Sequence, residues 1–540
     1  MIVYINGEVY DIENNEKDDL WAELDLAAAS NCSTCVKPDK DDSFRLSKSR
    51  FCSGSQCPKI LWLQKNRPEL FDTSVINEAV VSTGNDVGDL AMGLFGDYVE
   101  VPFNKDDLSS MFTLTADLLN KGVVNIAEAT FSYKGLFCSV DILKNKGDNH
   151  VEIYEVKCST KVHDKYLQDV AFQNYVLKKL GFIVDRVCLV HINNKYVRHG
   201  DIDIQEFFTI EDLTDQAEAL FDTVDIKVSE LREYMKNTDE PDKDISESCK
   251  DPYDCGFWKY CSRELPTPNA FDLNGTFAKP VTQWKLYRAG CAGFDDILTS
   301  KIHVGDNAMI QVEHAVKDLP PHIEIDKIKD FLNELSYPLY FRDFESFFPA
   351  IPRYDNSRPY QQVCFQYSLH YIEHEGEEPK HKEFLGKPGE DPRRKLCEKL
   401  CRDIPLNVCS LAYNTTFEKK RLEEMADLYP DLSAHLLNIR DHMEDLMTPF
   451  RKRWYYCRSM EGSYSIKYVL PALFPGDPEL DYHNLEGVHN GGEAANTFIR
   501  METMDPDELE KYRDYLLKYC GLDTYAMVKV WEKLREVTSC

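Results

Sequence analysis

The stretch from Gly135 to Gly181 constrains the fold most strongly, because two strand patterns, a turn and a helix pattern follow one another without interruption. GLFCSVDIL alternates apolar and polar residues, KNKGDNH is rich in turn-forming residues, and VEIYEVKCS alternates again. KYLQDVAFQNYVLKKLG then has helical periodicity, with lysines in its last turn and a glycine at its end. Strands followed by helices predict an α/β fold.

Three residues of this stretch are candidates for catalysis: Asp141, Glu155 and Lys157. Period two along the second strand places Glu155 and Lys157 on one face, and Asp141 lies near the end of the preceding strand. We therefore expect the three side chains to converge across the hairpin, where two carboxylates can hold one divalent cation. Such a cation polarises a phosphate and activates water, and the lysine can orient that water. The alternative is a surface hairpin with a scattered ion pair.

A second group of acidic motifs lies in the C-terminal part of the chain. The strand pattern SYPLYFRDFES carries Asp343 and Glu345, whose spacing places both carboxylates on one face. The apolar strand pattern NVCSLAYN is followed by the start of a helix that carries Glu418. Tyr519 and Asp523 are four residues apart in a helical pattern and therefore lie on one helix face.

The chain has 18 cysteines, which in a large cytoplasmic protein indicate metal or redox chemistry rather than disulfides. One early cysteine and three with the spacing C-x5-C-x5-C can close on a single site: Cys57, Cys249, Cys255 and Cys261. The alternatives are free thiols or a Zn²⁺ site built from an earlier set: Cys32, Cys35, Cys52 and Cys57.

The formal net charge of −30 argues against a protein that coats nucleic acid through a broad basic surface. It allows a nucleic-acid enzyme with a local basic groove, for which the candidate phosphate contacts are Lys59, Lys65, Arg67 and residues 451–453. No apolar run reaches the ~18–20 residues that span a bilayer. The N-terminus also lacks the basic start and apolar block of a secretory signal, so we expect a cytoplasmic protein without a membrane partner.

The strand–turn–strand–helix unit resembles the RecB-like branch of the PD-(D/E)XK nucleases. This resemblance implies that the three candidates of the hairpin are catalytic and that Gln173 of the following helix lies near the metal. The family often has a histidine on an early helix; TGNDVGDLAMGLF has none, and Asp86 or Asp89 could take its place. The four cysteines with the late triplet resemble the iron–sulfur subgroup of these nucleases, in which a 4Fe–4S cluster ties together the two ends of the domain.

The ordered motifs D-x-E, N-x-x-F-E and Y-x-x-x-D resemble the DEDD exonucleases of the ribonuclease H-like fold. The resemblance implies two Mg²⁺ or Mn²⁺ ions surrounded by four carboxylates: Asp343, Glu345, Glu418 and Asp523. Tyr519 would orient the attacking water. The middle motif of the family normally ends in aspartate, so Glu418 is one methylene longer, and Asp445 is the reserve candidate.

Together these stretches resemble a prokaryotic family of two-nuclease proteins. The expected organisation is an extension (1–45), a RecB-like PD-(D/E)XK domain with the cysteine cluster (46–265), a helical connector (266–335) and a ribonuclease H-like DEDD domain (336–540). The resemblance implies a metal-dependent DNA exonuclease that acts on single strands or free ends, in DNA repair or defence against foreign DNA. The alternative is a cluster-bearing subunit for nucleic-acid binding or assembly, with one or both sites inactive.

Overall fold

The computed structural model describes residues 2–5, 8–11, 45–76, 78–274 and 279–539. The expectation of an α/β protein is confirmed, since several sheets and many helices alternate along the chain. The chain divides into two compact units: Met1–Glu264 with Pro349–Tyr360, and Leu265–Phe348 with Gln361–Cys540. The stretch expected to be a connector, 266–335, therefore falls within the second unit.

The first unit contains nine strands and nine α-helices among its described residues. The strands are β1 (Ile2–Ile5), β2 (Glu8–Asp11), β3 (Leu46–Ser47), β4 (Val99–Glu100), β5 (Asn125–Tyr133), β6 (Leu136–Gly147), β7 (His150–Lys157), β8 (Ile183–Ile192) and β9 (Phe208–Asp212). The helices are α1 (Lys48–Gln56), α2 (Pro58–Asn66), α3 (Glu78–Met92), α4 (Leu108–Asn120), α5 (Asp164–Lys179), α6 (Ile204–Phe207), α7 (Thr214–Ala219), α8 (Phe221–Tyr234) and α9 (Trp258–Cys261).

A seven-stranded sheet organises this unit. Six strands follow the order β4-β5-β6-β7-β8-β9, and β3 pairs with the start of β6. The strands β5, β6 and β7 are antiparallel neighbours, whereas β7 and β8 run parallel and are connected through α5. The buried face of α5 packs with β5, β6 and β8 in the main hydrophobic core of the unit. The strand–turn–strand–helix stretch of the sequence thus forms the centre of the sheet and its covering helix.

The second unit contains seven strands and eleven α-helices among its described residues. The strands are β10 (His322–Ile323), β11 (Leu339–Phe347), β12 (Val363–Ile372), β13 (Lys380–Leu385), β14 (Cys409–Ala412), β15 (Met443–Asp445) and β16 (Tyr455–Tyr456). The helices are α10 (Pro280–Arg288), α11 (Phe294–Thr299), α12 (Asp306–Lys317), α13 (Ile325–Asn333), α14 (Arg393–Asp403), α15 (Thr415–Leu428), α16 (Ser433–Asp441), α17 (Thr448–Arg451), α18 (Ile466–Leu473), α19 (Gly491–Arg500) and α20 (Pro506–Ser539).

Its main sheet has the order β13-β12-β11-β14-β15. The first three strands are antiparallel to their neighbours, and β14 and β15 run parallel to β11. One face packs on α20 and the other on α14, α15 and α16, so β11 is buried between two hydrophobic cores. β14 pairs only with the first residues of β11, whereas β11 continues beyond the end of β14. The helix α15 begins shortly after β14, so its start lies beside the second half of β11.

None of the helices in the described ranges combines the length and the apolar character that a bilayer crossing requires.

Candidate active sites

The first site forms where β6 and β7 meet. Along β6 the residues alternate in burial, so that Ser139 and Asp141 share one face and their neighbours pack into the core. The antiparallel register of β6 with β7 brings Asp141 beside Glu155. An oxygen of Asp141 accepts a hydrogen bond from the backbone N–H of Val156 at 2.6 Å. Asp141, Glu155 and Lys157 line one cavity of about 650 Å³, as the spacing predicts.

Glu155 is hydrogen-bonded or ion-paired to three side chains of this site. Lys157 Nζ lies 2.7 Å from one oxygen, and Lys48 Nζ lies 2.8 and 2.9 Å from the two oxygens. Gln173 of α5 donates to Glu155 at 2.6 Å. Burial alone would raise the pKa of Glu155, but Lys157 and Lys48 outweigh it and lower that pKa to about 2. The carboxylate is therefore ionised, although only 1% of it is exposed.

Two residues of this cluster were missed by the sequence reasoning. Lys48 stands at the first position of α1, and no spacing in the sequence connects it to Glu155. Glu128 has φ = +55° and lies on β5 between two residues that pair in register with β6, so it stands opposite Asp141 and lines the same cavity. Ser139 donates to Glu128 at 2.8 Å. Glu128 precedes the stretch from Gly135 to Gly181 in which the first candidates were sought, and no motif indicated it.

The helices around the cavity supply further polar groups. Asp169 precedes Gln173 by one helical turn and pairs with Lys157 at 2.6 Å. Asp89 of α3 lines the cavity, whereas Asp86 is exposed and does not. Of the two aspartates proposed in place of the absent histidine, Asp89 is thus the one that the fold brings to the site.

In contrast to Glu155, two other carboxylates of this cavity have raised pKa values. Burial, followed by Asp141, raises the pKa of Glu128 to about 8. Burial, followed by Glu155, raises the pKa of Asp141 to about 6. Oxygen ligands of this kind suit a hard divalent cation. Asp141, Glu155, Glu128 and Asp89 line this cavity, but among the described residues no three of their carboxylates bring ligand oxygens within 4.8 Å of one another.

The four cysteines come from two distant parts of the first unit. Cys57 separates α1 from α2, and the other three occupy 249–261. Gln56 joins the two parts, since its side-chain N–H groups donate to the carbonyls of Ser248 and Tyr253 at 2.7 Å each. Burial raises the pKa of Cys255 to about 12, and its cysteine neighbours raise it further. Burial likewise raises the pKa values of Cys249 and Cys261, so the surroundings of the late triplet disfavour free thiolates.

The spacing of these sulfurs distinguishes two kinds of occupant. Among the residues that the structure describes, no three of the four Sγ atoms lie within 4.8 Å of one another. A tetrahedral Zn²⁺ site with 2.3 Å bonds separates its sulfurs by only about 3.8 Å. Four thiolates are the usual ligands of an iron–sulfur cluster, so the donor set is of the type that such a group requires. In the alternative zinc set, Cys32 and Cys35 lie outside the described residues, and the Cys52 thiol donates to Asp169 at 2.9 Å.

The second site lies between β11 and α20. Asp343 and Glu345 point to the same face of β11, and α20 places Asp523 and Cys520 against that face. One ligand atom each of Asp343, Glu345 and Cys520 lies within 4.8 Å of the other two. Burial, followed by the charge of Asp523, raises the pKa values of Asp343 and Glu345 well above their usual range. The sequence predicted the two β11 carboxylates but not Cys520.

Two tyrosines bind Asp523. The hydroxyl of Tyr482 donates to Asp523 Oδ1 at 2.6 Å, and Tyr519 of α20 is also hydrogen-bonded to this carboxylate. Burial nevertheless raises the pKa of Asp523 to about 6. Tyr519 was predicted from its spacing, whereas Tyr482 belongs to a short 3-10 turn and has no sequence pattern that indicates it.

Glu418 forms a buried ion pair. Its Oε2 lies 2.8 Å from Arg342 Nη1, and 0% of Arg342 and 3% of Glu418 are exposed. Glu418 is still near enough to raise the pKa of Asp343. The reserve candidate Asp445 instead accepts hydrogen bonds from the backbone N–H groups of Asn414 and Met447 at 3.0 and 3.1 Å. The fourth carboxylate of the expected set is thus held by an arginine.

A cavity of about 620 Å³ opens beside the second site. It is lined by Asp343 and Asp523 and by several other polar residues, among them Tyr413, Asn414, Ser463, Tyr464 and Ser465. The positive charge of Lys467 lowers the pKa values of Glu345 and Asp523 and so opposes the effect of burial, which raises them.

Two of the expected phosphate contacts are wrong, because the side chains are buried. Only 1% of Arg453 is exposed, and its guanidinium donates to the carbonyls of Gly462 and Ser463. Lys59 is 9% exposed and pairs with Glu240 at 2.8 Å.

Comparisons with known proteins cover only part of the chain. Residues 340–465 match the model of a domain of unknown function, DUF2779. The uncharacterized protein MG366 of Mycoplasma genitalium is 27% identical over 236 residues, which is 38% of this chain and 33% of that protein. The uncharacterized protein UU173 of Ureaplasma parvum is 26% identical over 246 residues, which is 42% of this chain and 33% of that protein. The matched part is thus a third of each curated relative, and no solved structure matches significantly.

Proposed function

We propose that this protein is a metal-dependent nuclease with one nuclease site in each unit, and that it is a DNA exonuclease in repair or in defence against foreign DNA. The observation that carries the proposal is that each unit has its own group of buried carboxylates beside a polar cavity. We assign the first unit to the PD-(D/E)XK fold with an iron–sulfur cluster and the second to the ribonuclease H-like fold. Three antiparallel strands followed by two parallel ones in the second sheet support the latter assignment.

In the first site, Asp141 and Glu155 are the principal ligands of a divalent cation. The bound cation would polarise the scissile phosphate and lower the pKa of the attacking water. Lys157 is held by Glu155 and Asp169, which fixes its ammonium at the cavity wall. There it can hydrogen-bond the attacking water or an oxygen of the phosphate. Gln173 orients Glu155 through a hydrogen bond, as the hydrogen-bond partners of metal ligands commonly do.

In the second site, Asp343 and Asp523 line the cavity, and a carboxylate oxygen of Glu345 lies within 4.8 Å of one of Asp343. Tyr482 holds Asp523 in place, and the buried hydroxyl of Tyr519 lies beside the same carboxylate, where it can orient water. Glu418 is the fourth carboxylate of the site, and a hydrogen bond from Arg342 holds the Glu418 side chain in place. Lys467 is the cation available to a phosphate at this site.

The first test is digestion of single-stranded DNA, labelled at either end, in the presence of Mg²⁺ or Mn²⁺. The full chain, purified without oxygen, is compared with Asp141→Asn, Asp343→Asn and the double variant. Exposed aspartates on β8 and α16 supply the matched controls Asp185→Asn and Asp441→Asn. Each site variant should lose one set of products, the double variant should lose both, and the controls should retain them. Equal digestion by the wild type and the double variant would overturn the proposal.

The second candidate is a subunit that binds nucleic acid without cutting it. The Arg342–Glu418 ion pair favours it for the second site, because a carboxylate that neutralises an arginine offers less charge to a metal. Binding of labelled DNA that survives in the Asp141→Asn, Asp343→Asn double variant, with no digestion by the wild type on DNA or RNA, would select this candidate.

A further inference from the structure

Three side chains of the second site converge without a hydrogen-bond or ion-pair partner among the residues that the structure describes. Glu345 is 7% exposed and Cys520 is 0% exposed, and Asp343 is partly exposed. Among the described residues, none of the three has a hydrogen-bond or ion-pair partner, whereas the neighbouring carboxylates Glu418 and Asp523 each have one. Leaving a buried carboxylate unpaired costs several kcal/mol, so such a group indicates a missing ligand.

The geometry suits one cation rather than a set of hydrogen bonds. The three ligand atoms, two carboxylate oxygens and the Cys520 sulfur, all lie within 4.8 Å of one another. Tetrahedral coordination with bonds of about 2.1 Å to oxygen and 2.3 Å to sulfur places such atoms about 3.6 Å apart. A contraction of about 1 Å therefore converts the observed group into a coordination shell.

The backbone fixes the three groups in this arrangement. Asp343 and Glu345 are two residues apart on β11 and project from one face of it. Cys520 precedes Asp523 by three residues on α20, so both point to the same side of the helix. Two rigid elements thus supply the ligands, which is the condition for a site that exists before its metal arrives.

We propose that Cys520 is a metal ligand, and that the second site holds a thiophilic divalent cation of the Zn²⁺ class through Asp343, Glu345 and the Cys520 thiolate. This inference deepens the proposed function, because it concerns the metal of the same site. On binding, the thiol transfers its proton to solvent and a metal–sulfur bond forms. Mg²⁺ prefers shells made entirely of oxygen, whereas a sulfur ligand selects softer cations. The site therefore discriminates between cations that a purely carboxylate site would treat more equally.

The test uses Co²⁺ as the probe, because a cobalt–thiolate bond gives a charge-transfer band in the near ultraviolet. The full chain, freed of metal, is titrated with Co²⁺ beside Cys520→Ser and the control Cys397→Ser. Cys397 is equally buried and also helical, but it lies on α14 in a different core cluster. The four cysteines of the first unit are present in all three proteins, so their contribution cancels in the difference spectrum.

After subtraction of the Cys520→Ser spectrum, the wild type and Cys397→Ser should both show a saturable band. The affinity for Co²⁺ should fall in Cys520→Ser by at least about tenfold, since even outer-shell changes cost about 10–100-fold. Mg²⁺ in large excess should leave the band in place. An identical band in Cys520→Ser would overturn the inference.

Asp343→Asn keeps the test decisive if Cys520→Ser does not fold, because Asp343 is partly exposed and the change conserves shape. This variant should lose the band at a Co²⁺ concentration that saturates the wild type, and retention of the full band would also overturn the inference. Digestion of DNA is measured on the same preparations. If the protein digests DNA but shows no band, only the proposal of a thiolate ligand is refuted. If it shows the band but digests DNA with none of the cations tested, only the nuclease proposal is refuted.

Discussion

Replacing Arg342 by methionine should destabilise the second unit by about 3 kcal/mol at pH 7. The change leaves the carboxylate of Glu418 buried without its arginine, while methionine fills much of the same volume. A buried unpaired carboxylate takes up a proton instead of remaining charged. Keeping a group protonated at pH 7 when its ordinary pKa is 4.5 costs about 3.4 kcal/mol, at 1.36 kcal/mol per pH unit. This value agrees with the 3–5 kcal/mol typical of breaking a buried ion pair.

The same reasoning fixes the pH dependence of the effect. In the variant, folded Glu418 binds a proton that the unfolded chain releases above pH 4.5, so stability falls as the pH rises. The destabilisation should therefore be small near pH 5 and grow by about 1.4 kcal/mol per pH unit toward pH 7. Carboxylates outside the second site titrate alike in both proteins and cancel in the comparison.

The assay is hydrogen–deuterium exchange of the slowest amides of β12, which reports the opening free energy of the second unit alone. The matched control is Arg342→Met combined with Glu418→Gln, in which no charge is left unpaired. The double variant should recover to within about 1 kcal/mol of the wild type and lose the additional pH dependence. A cost in Arg342→Met that is equal at pH 5.5 and pH 7.5 would refute the reasoning.

Three further predictions concern other parts of the chain. Gly462→Ala should lower the melting temperature more than Gly476→Ala, because both residues have φ = +75° but only the first would place Cβ within 2.5 Å of Gln311; equal losses would contradict this. Burial lowers the pKa of His370 to about 4. Below pH 6.5 the unfolded chain therefore binds a proton that the folded chain does not, and the free energy of unfolding should fall from pH 6.5 toward pH 4. His370→Asn should flatten this decline in thermal unfolding, and an unchanged slope would count against it. Lys48→Met should raise the pKa of its carboxylate partner and reduce DNA digestion by the first site at least tenfold, with normal activity in the second site as the internal control.

Residues in regularly periodic stretches were predicted best from the sequence. The D-x-E on β11 and the pair of Tyr519 and Asp523 on α20 lie on the expected faces, because alternation and helical spacing determine side-chain direction directly. The candidate phosphate contacts 451–453 are different: α17 ends at Arg451, and the residues after it lead to the buried strand β16.

The residues that the sequence missed depend on long-range geometry or on local irregularity. Glu128 lies opposite Asp141 on a neighbouring strand with a positive φ, and Lys48 reaches Glu155 across a sequence separation that no motif spans. Cys520 was missed for another reason: a cysteine in an apolar helical pattern is ordinarily a small core residue, and only the three-dimensional fold places it against Asp343.

The segment Pro349–Tyr360 has a consequence for how the chain acquires its structure. It follows β11 in sequence but belongs to the first unit, where Arg198 binds its carbonyl oxygens at 2.8 and 3.0 Å and Ala350 joins a hydrophobic cluster. When the ribosome has synthesised the chain through residue 264, part of the first unit is therefore still missing. The first unit can complete its packing only after the chain has been synthesised through Tyr360, by which time the start of the second unit has also emerged. Any gene fragment meant to encode the first unit alone must carry this segment as well.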